Sequence, residues 1–213
     1  MDAKRLPSKS VNQGAHNAAM RGQELYPTPV ELTLALLRAE SIPHTVWEPA
    51  AGLGHMSDAL ISAGHTVHAS DILDYGRGHQ VVDFLQTNAL PPGVETIVTN
   101  PPFSLSAQFV RHGLRLCKTV YILNRLSFLE GANRRDIIDG PLARVLPFVE
   151  RPPMMHRHTL DPVTGVWLEW PGRKASSAMP VAWFVFRRDH NARVHGTGLR
   201  RISWRAGGQK NRV

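Results

Sequence analysis

The residues best placed to do chemistry stand in four short groups. Thr99-Asn100-Pro101-Pro102-Phe103 follows directly on an apolar run. Two prolines stiffen such a turn and lack N–H groups, so their carbonyls are available as acceptors at a set place. Asn100 adds an amide oxygen and Phe103 a flat apolar surface, so together they could accept the protons of a planar amino group and stack its ring. Glu48-Pro49-Ala50-Ala51-Gly52-Leu53-Gly54 lies upstream. Its small residues permit a tight turn and close approach of the backbone to a ligand. The third glycine of the dinucleotide fingerprint is missing, since position 57 is Ser, which disfavours a nicotinamide or flavin dinucleotide. Asp71, followed by Ile72, ends the next apolar run, where an acceptor-only carboxylate suits a ribose diol. Asp83 and Phe84 offer an acceptor and a ring for a base. Each group alone also reads as an ordinary turn, cap or core residue.

Regular elements must hold these groups. Thr28-Pro29-Val30-Glu31 has the form of a capping box with proline at the first helical position, and Leu32, Ala35, Leu36 and Ala39 continue at helical spacing, predicting a helix over 29–40. Strands are expected over 45–48, 66–71, 95–100 and 119–124, with helices over 54–63 and 104–116 between them. This alternation predicts an α/β fold of βαβ units with a mainly parallel sheet, whose ligands bind at the C-terminal strand ends. A helix over about 128–138 and strands over 144–149 and 180–186 complete the pattern. Residues 151–179 show no clear period, and a connection of that length between core strands points to function. The expected organisation is a basic, flexible arm over 1–25, a core over 26–150, a basic loop over 151–179 and a last strand with a basic tail over 180–213. Only Ile202-Ser203-Trp204 looks able to anchor that tail.

With 213 residues, 42% of them hydrophobic and 20% charged, the chain suits one globular domain. No apolar stretch approaches the roughly 18 residues of a membrane helix, and residues 1–10 lack the apolar segment of a signal peptide. A single cysteine, Cys117, excludes an internal disulfide and fits a cytoplasmic setting. His156 and His158 flank Arg157 without cysteine or carboxylate at ligand spacing, so no metal is expected. Ser104 and Ser106 lack a partner histidine or acid, which leaves a hydrolase triad unsupported. Charge is unevenly spread. Residues 1–150 hold 13 Lys and Arg against 14 Asp and Glu, while residues 151–213 hold 12 against 3. A basic segment on a near-neutral body suits a polyanion, because cations that neutralise phosphates release counterions.

The order of these motifs resembles the catalytic core of S-adenosylmethionine-dependent DNA adenine-N6 methyltransferases of the small, single-domain phage and prophage type. The likeness runs through Phe128-Leu129-Glu130-Gly131 and Ala182-Trp183-Phe184-Val185-Phe186. It implies the class I methyltransferase fold, Rossmann-like with a mostly parallel seven-stranded sheet, and S-adenosylmethionine as cofactor. It further implies that Tyr26, Thr28 and Pro29 line the methionine end, and that Glu48, Pro49 and the turn from Ala50 through Gly52 to Gly54 hold the amino acid part. Asp71 with Ile72 would take the ribose, and Asp83 with Phe84 the adenine. Asn100, Pro101 and Pro102 would hold the target amine, and Phe103 would stack on a base flipped from the duplex. Arg157, Arg173 and Lys174 are the expected phosphate contacts. The partner is then DNA. Phe at the fourth motif position also occurs in ribosomal RNA guanine-N2 methyltransferases, so RNA base methylation is the second reading. Methylation of a protein glutamine amide, and a non-catalytic cofactor- or DNA-binding anti-restriction protein, follow behind.

Overall fold

The computed structural model describes Leu25, residues 27–152 and 180–206, and the backbone of two short strands at 158–160 and 167–169. Tyr26, Arg157, Arg173 and Lys174 lie outside the described residues, as does nearly all of the predicted arm.

In chain order the elements are α1 (Val30–Ala39), β1 (Thr45–Glu48), α2 (His55–Ser62), β2 (Thr66–Asp71), β3 (Gln80–Val81), β4 (Thr96–Thr99), α3 (Ser106–Leu116) and β5 (Thr119–Arg125). After them come α4 (Arg135–Ile138), β6 (Leu142–Pro147), β7 (His158–Leu160), β8 (Trp167–Glu169), β9 (Val181–Arg187), α5 (Ala192–His195) and β10 (Gly198–Leu199). One eight-stranded sheet runs β10-β6-β9-β5-β4-β1-β2-β3. Only β9 runs against the others, pairing antiparallel with both β5 and β6. Strand order reverses at β1, which pairs in parallel with β2 on one side and β4 on the other. The crevice above that reversal is where sheets of this kind bind ligands.

Central strands are apolar on both faces because both are covered by helices. Ile97, Val120, Ile122, Phe184 and Phe186 pack with Phe109 and Val110 of α3 on one side. Val98, Tyr121, Leu123, Trp183 and Val185 pack with Leu32 and Leu36 of α1 and Met56 and Leu60 of α2 on the other. The buried Trp183 indole donates to the Leu32 carbonyl at 2.9 Å, tying α1 to the sheet. Gly113 lets α3 settle closely, since a Cβ there would stand 2.8 Å from Val120 Cγ2.

The structure departs from expectation at several points. The sheet has eight strands, not seven, because β10 of the tail pairs in parallel with β6. The 128–138 segment is not one helix. Gly131 adopts φ +100°, and the chain instead makes short turns at Leu126–Leu129 and Ala132–Arg134 before the single turn of α4. The Thr28 capping box does not form: α1 starts after Pro29 without a side-chain cap, and the Thr28 hydroxyl is engaged elsewhere. Strand 144–149 lies earlier, as β6, with Phe148 bridging to Ile202. The 151–179 segment contains a hairpin, His158 pairing with Glu169 and Leu160 with Trp167.

The tail is held by more than the three residues singled out. Ile202 is buried, Trp204 Nε1 donates to the Glu150 carbonyl at 3.1 Å, and Arg205 pairs with Glu150 at 2.7 Å. Arg38 of α1 donates to the Ser203 carbonyl at 3.0 Å, and Arg200 to that of Ala39 at 3.3 Å.

Candidate functional site

Glu48 closes β1 and is 2% exposed. The chain then turns through Pro49-Ala50-Ala51-Gly52, with Gly52 at φ +51° and Gly54 at φ +82° just before α2. Both angles belong to the left-handed region that favours glycine. The Ala51 N–H donates to the Ser70 carbonyl at 3.0 Å and the Gly54 N–H to the Ala51 carbonyl at 2.8 Å. A third bond locks the turn from the neighbouring strand: the Gly52 N–H donates to Asp71 Oδ2 at 2.9 Å, while Leu73 N–H donates to Asp71 Oδ1 at 3.2 Å. Each carboxylate oxygen has two acceptor sites, so Asp71 keeps acceptor capacity for a ligand.

Burial dominates the electrostatics. Burial pushes the Glu48 carboxyl up to about 8; the hydrogen bond from the Ser57 hydroxyl opposes this and the Asp71 charge reinforces it. Near neutral pH, Glu48 therefore keeps its proton for much of the time. Burial raises Asp71 as well, against the N–H groups of Gly52 and Leu73. Tyr75 is pushed upward by burial and then by the Asp71 charge.

Asp83 accepts from the Leu85 N–H at 3.0 Å and so caps the turn that carries Phe84. Phe84 is a core residue, 2% exposed, with ring centroids of Trp47, Phe109 and His112 at 5.2, 4.7 and 4.8 Å. It forms part of the cleft wall from within the core, not a plate standing in solvent.

Asn100 follows β4, and its side-chain Nδ2–H donates to the Thr28 hydroxyl at 3.0 Å. The two proline carbonyls differ. That of Pro102 accepts from the Leu105 N–H at 2.9 Å and the Ser106 hydroxyl at 3.2 Å, opening α3, whereas that of Pro101 accepts from none of the described residues. The Pro102 carbonyl is thus spent on opening α3. Phe103 is half-buried, with the Arg125 guanidinium carbon 4.4 Å from its ring centroid.

These groups meet around one cleft of about 810 Å³, measured to its open mouth, above the β1–β4 reversal. Thr28, Glu48, Pro49, Ala50, Gly52, Asp71, Ile72, Asp83, Phe84, Asn100 and Pro102 line it. Pro29, Gly54, Pro101 and Phe103 do not, and a Cβ on Gly54 would face Arg77 and His79 at 3.2 and 3.1 Å. Sequence reasoning misses Leu25, Pro27, Met56, Tyr75, Leu105 and Phe109. Most are apolar residues at core-like spacing, and nothing in the chain distinguishes a wall of a cleft from the core behind it.

The fold agrees with solved structures at low sequence identity. A putative RNA methyltransferase of Pyrococcus horikoshii superposes with a TM-score of 0.50 at 15% identity, over 78% of this chain and 88% of that one. The fold is that of the class I S-adenosylmethionine-dependent methyltransferases. A protein of Thermoplasma acidophilum matches with a TM-score of 0.50 at 15% identity, over 82% of this chain and 97% of that one. The modification subunit of a putative type I restriction enzyme of Vibrio vulnificus matches with a TM-score of 0.53 at 11% identity, over 92% of this chain but 51% of its own length. No family model and no curated protein matches the chain. Among the described residues there is no cluster of three metal-ligating side chains, and no helix is long and apolar enough to cross a membrane.

Proposed function

We propose that the protein transfers a methyl group from S-adenosylmethionine to the exocyclic N6 amino group of adenine in DNA. The observation that carries this reading is that Asn100, directly after β4, lines the same cleft as Glu48 and Asp71 at the ends of β1 and β2 and Gly52 in the turn after β1.

The cleft's donors and acceptors fit the cofactor. Asp71 keeps lone pairs for two ribose hydroxyls, and Glu48 stands ready to ionise opposite a cationic amino acid end. Asp83 offers an acceptor for an adenine amino group beside the apolar wall of Ile72, Leu85 and Phe109. When bound, S-adenosylmethionine supplies an electrophilic methyl group on a sulfonium.

The chain's own residues prepare the nucleophile. An aromatic amine is weakly nucleophilic because its lone pair is delocalised into the ring. Its two N–H groups donate to Asn100 Oδ1 and to the Pro101 carbonyl, which draws the nitrogen toward a tetrahedral form and frees the lone pair. The nitrogen then forms its bond to the methyl carbon as the carbon–sulfur bond breaks, and it releases one proton to solvent. Placement and fixed dipoles supply the rate in this scheme, and no strong base is required. Phe103 stacks on the extruded base. Arg157, Arg173 and Lys174 hold phosphates in the same proposal.

RNA base methylation is the second reading, favoured by the similarity in fold to the Pyrococcus protein named for RNA. The deciding experiment offers labelled S-adenosylmethionine and duplex DNA, single-stranded DNA or ribosomal RNA to wild type and Asn100→Ala, and separates product nucleosides by mass. N6-methyladenine in DNA from wild type alone supports the proposal. Label in RNA moves the assignment to the second reading. Cofactor binding without label on any substrate would identify a non-catalytic binding protein.

A further inference from the structure

β4 and β5 are parallel neighbours with Thr99 opposite Ile122, so three residues further along each strand the chain reaches the same level above the sheet. On β4 that brings it into the Asn100–Phe103 turn; on β5 it brings it to Arg125. The guanidinium of Arg125 lies 4.4 Å from the Phe103 centroid, well inside the distance at which a cation is held by a ring face. Its Nε is buried and has no hydrogen-bond acceptor among the described residues.

A buried donor without an acceptor is unfavourable and calls for an explanation. The guanidinium group carries donors only, in a planar fork suited to nucleobase edges and phosphate oxygens. Arg125 is also at the end of the sheet where ligands bind, and among the described residues no carboxylate pairs with it.

We infer that Arg125 binds the target nucleotide, stacking its guanidinium on Phe103 and donating from its N–H fork to an acceptor atom of that nucleotide, either a ring nitrogen or carbonyl of the base or an oxygen of the adjoining phosphate. This rests on the methyltransferase reading above and adds to it the residue that seats the target. Asn100 and Pro101 address the amine alone, which adenine, cytosine and guanine all possess. A donor beside Phe103 would add a second point of attachment and fix the base in its plane.

The test measures methyl transfer to the preferred oligonucleotide by wild type, Arg125→Gln and Arg125→Lys, with cofactor affinity by calorimetry and melting temperature alongside. Arg125→Gln is expected to raise KM for the oligonucleotide about ten- to a hundredfold, with cofactor affinity and melting temperature unchanged. Arg125→Lys keeps the charge but removes the planar group and Nε, and is expected to recover little of the activity. Substrates with a deaza base at the target, or a methylphosphonate beside it, separate the sources: the one that weakens wild type but not Arg125→Gln carries the acceptor. Unchanged kinetics in Arg125→Gln with an active wild type would overturn the inference alone. Faster transfer by Arg125→Gln would also overturn it and make the guanidinium an obstacle on Phe103. A wild type inactive on every nucleic acid would overturn the methyltransferase reading and this inference together.

Discussion

Asn100 donates its Nδ2–H to the Thr28 hydroxyl at 3.0 Å, joining the end of β4 to the residue two places before α1. The bond holds the orientation of the Asn100 amide at the end of the strand. Thr28→Val keeps the shape and removes the hydroxyl. It is expected to lower kcat about tenfold, with cofactor affinity changed less, while Thr28→Ser retains most activity. Asn100→Ala should abolish transfer and leave cofactor affinity within a few-fold. Single-turnover rates at saturating cofactor would check both, and an active Asn100→Ala would remove Asn100 from the reaction.

Glu48 makes the protein sensitive to pH. Its carboxyl is raised by burial from 4.5 to about 8, so across that interval the folded state holds a proton that the unfolded state has released. This contribution to stability is fully present below the unfolded value and is lost as pH rises through the folded one. Wild type without cofactor should therefore lose denaturant resistance between about pH 5 and 8, and Glu48→Gln should flatten that decline. A cationic ligand end placed against Glu48 favours its ionised form, so cofactor binding near neutral pH should release a proton. Calorimetry in buffers of different ionisation enthalpy measures it, and Glu48→Gln should abolish it.

Gly52 is constrained twice. Its φ of +51° disfavours any side chain, and a Cβ there would stand 2.6 Å from Leu25 Cδ1. Gly52→Ala is expected to cost about 1–3 kcal/mol of stability and to weaken cofactor binding by disturbing the N–H that meets Asp71. Pairing it with Leu25→Ala should recover the steric part and not the backbone part. Equal stability of Gly52→Ala and wild type in urea titrations would contradict this.

Changing Arg157, Arg173 and Lys174 to Gln should weaken nucleic-acid binding across sequences. For every phosphate that is no longer neutralised, the slope of log K against log salt should become shallower by about 0.9 on duplex DNA. A slope identical to wild type would assign the phosphates to other cations.

The parts legible in the sequence are those that short-range chemistry dictates. β1, β2 and the start of β5 fall at the predicted positions because continuous apolar runs bounded by turn residues have few alternatives. Asp71 and the Gly52 turn read as one region because a carboxylate at a strand end and small residues at another carry the same implication. Thr28 reads as a cap because that pattern is local, whereas its partner Asn100 is 72 residues away. The helix expected over 128–138 has a suitable apolar spacing, but Gly131 at φ +100° interrupts it. Phe84 shows the limit from the other side: an aromatic at this place reads equally well as a ligand plate or as core, and only the rings of Trp47 and Phe109 around it decide. Arg125 carries no signal in the sequence, since its meaning depends on Phe103 in the neighbouring turn.

The sheet finishes on either side with a very short strand, Gln80–Val81 at one margin and Gly198–Leu199 at the other, all four residues exposed. Unpaired backbone along a sheet margin is a template on which another chain can extend the ladder. At the tail margin that template is two residues long, and the longer β6 is shielded by the returning tail. Removal of the tail beyond Arg188 would uncover the Leu142–Pro147 backbone and open that margin to pairing with its own copies.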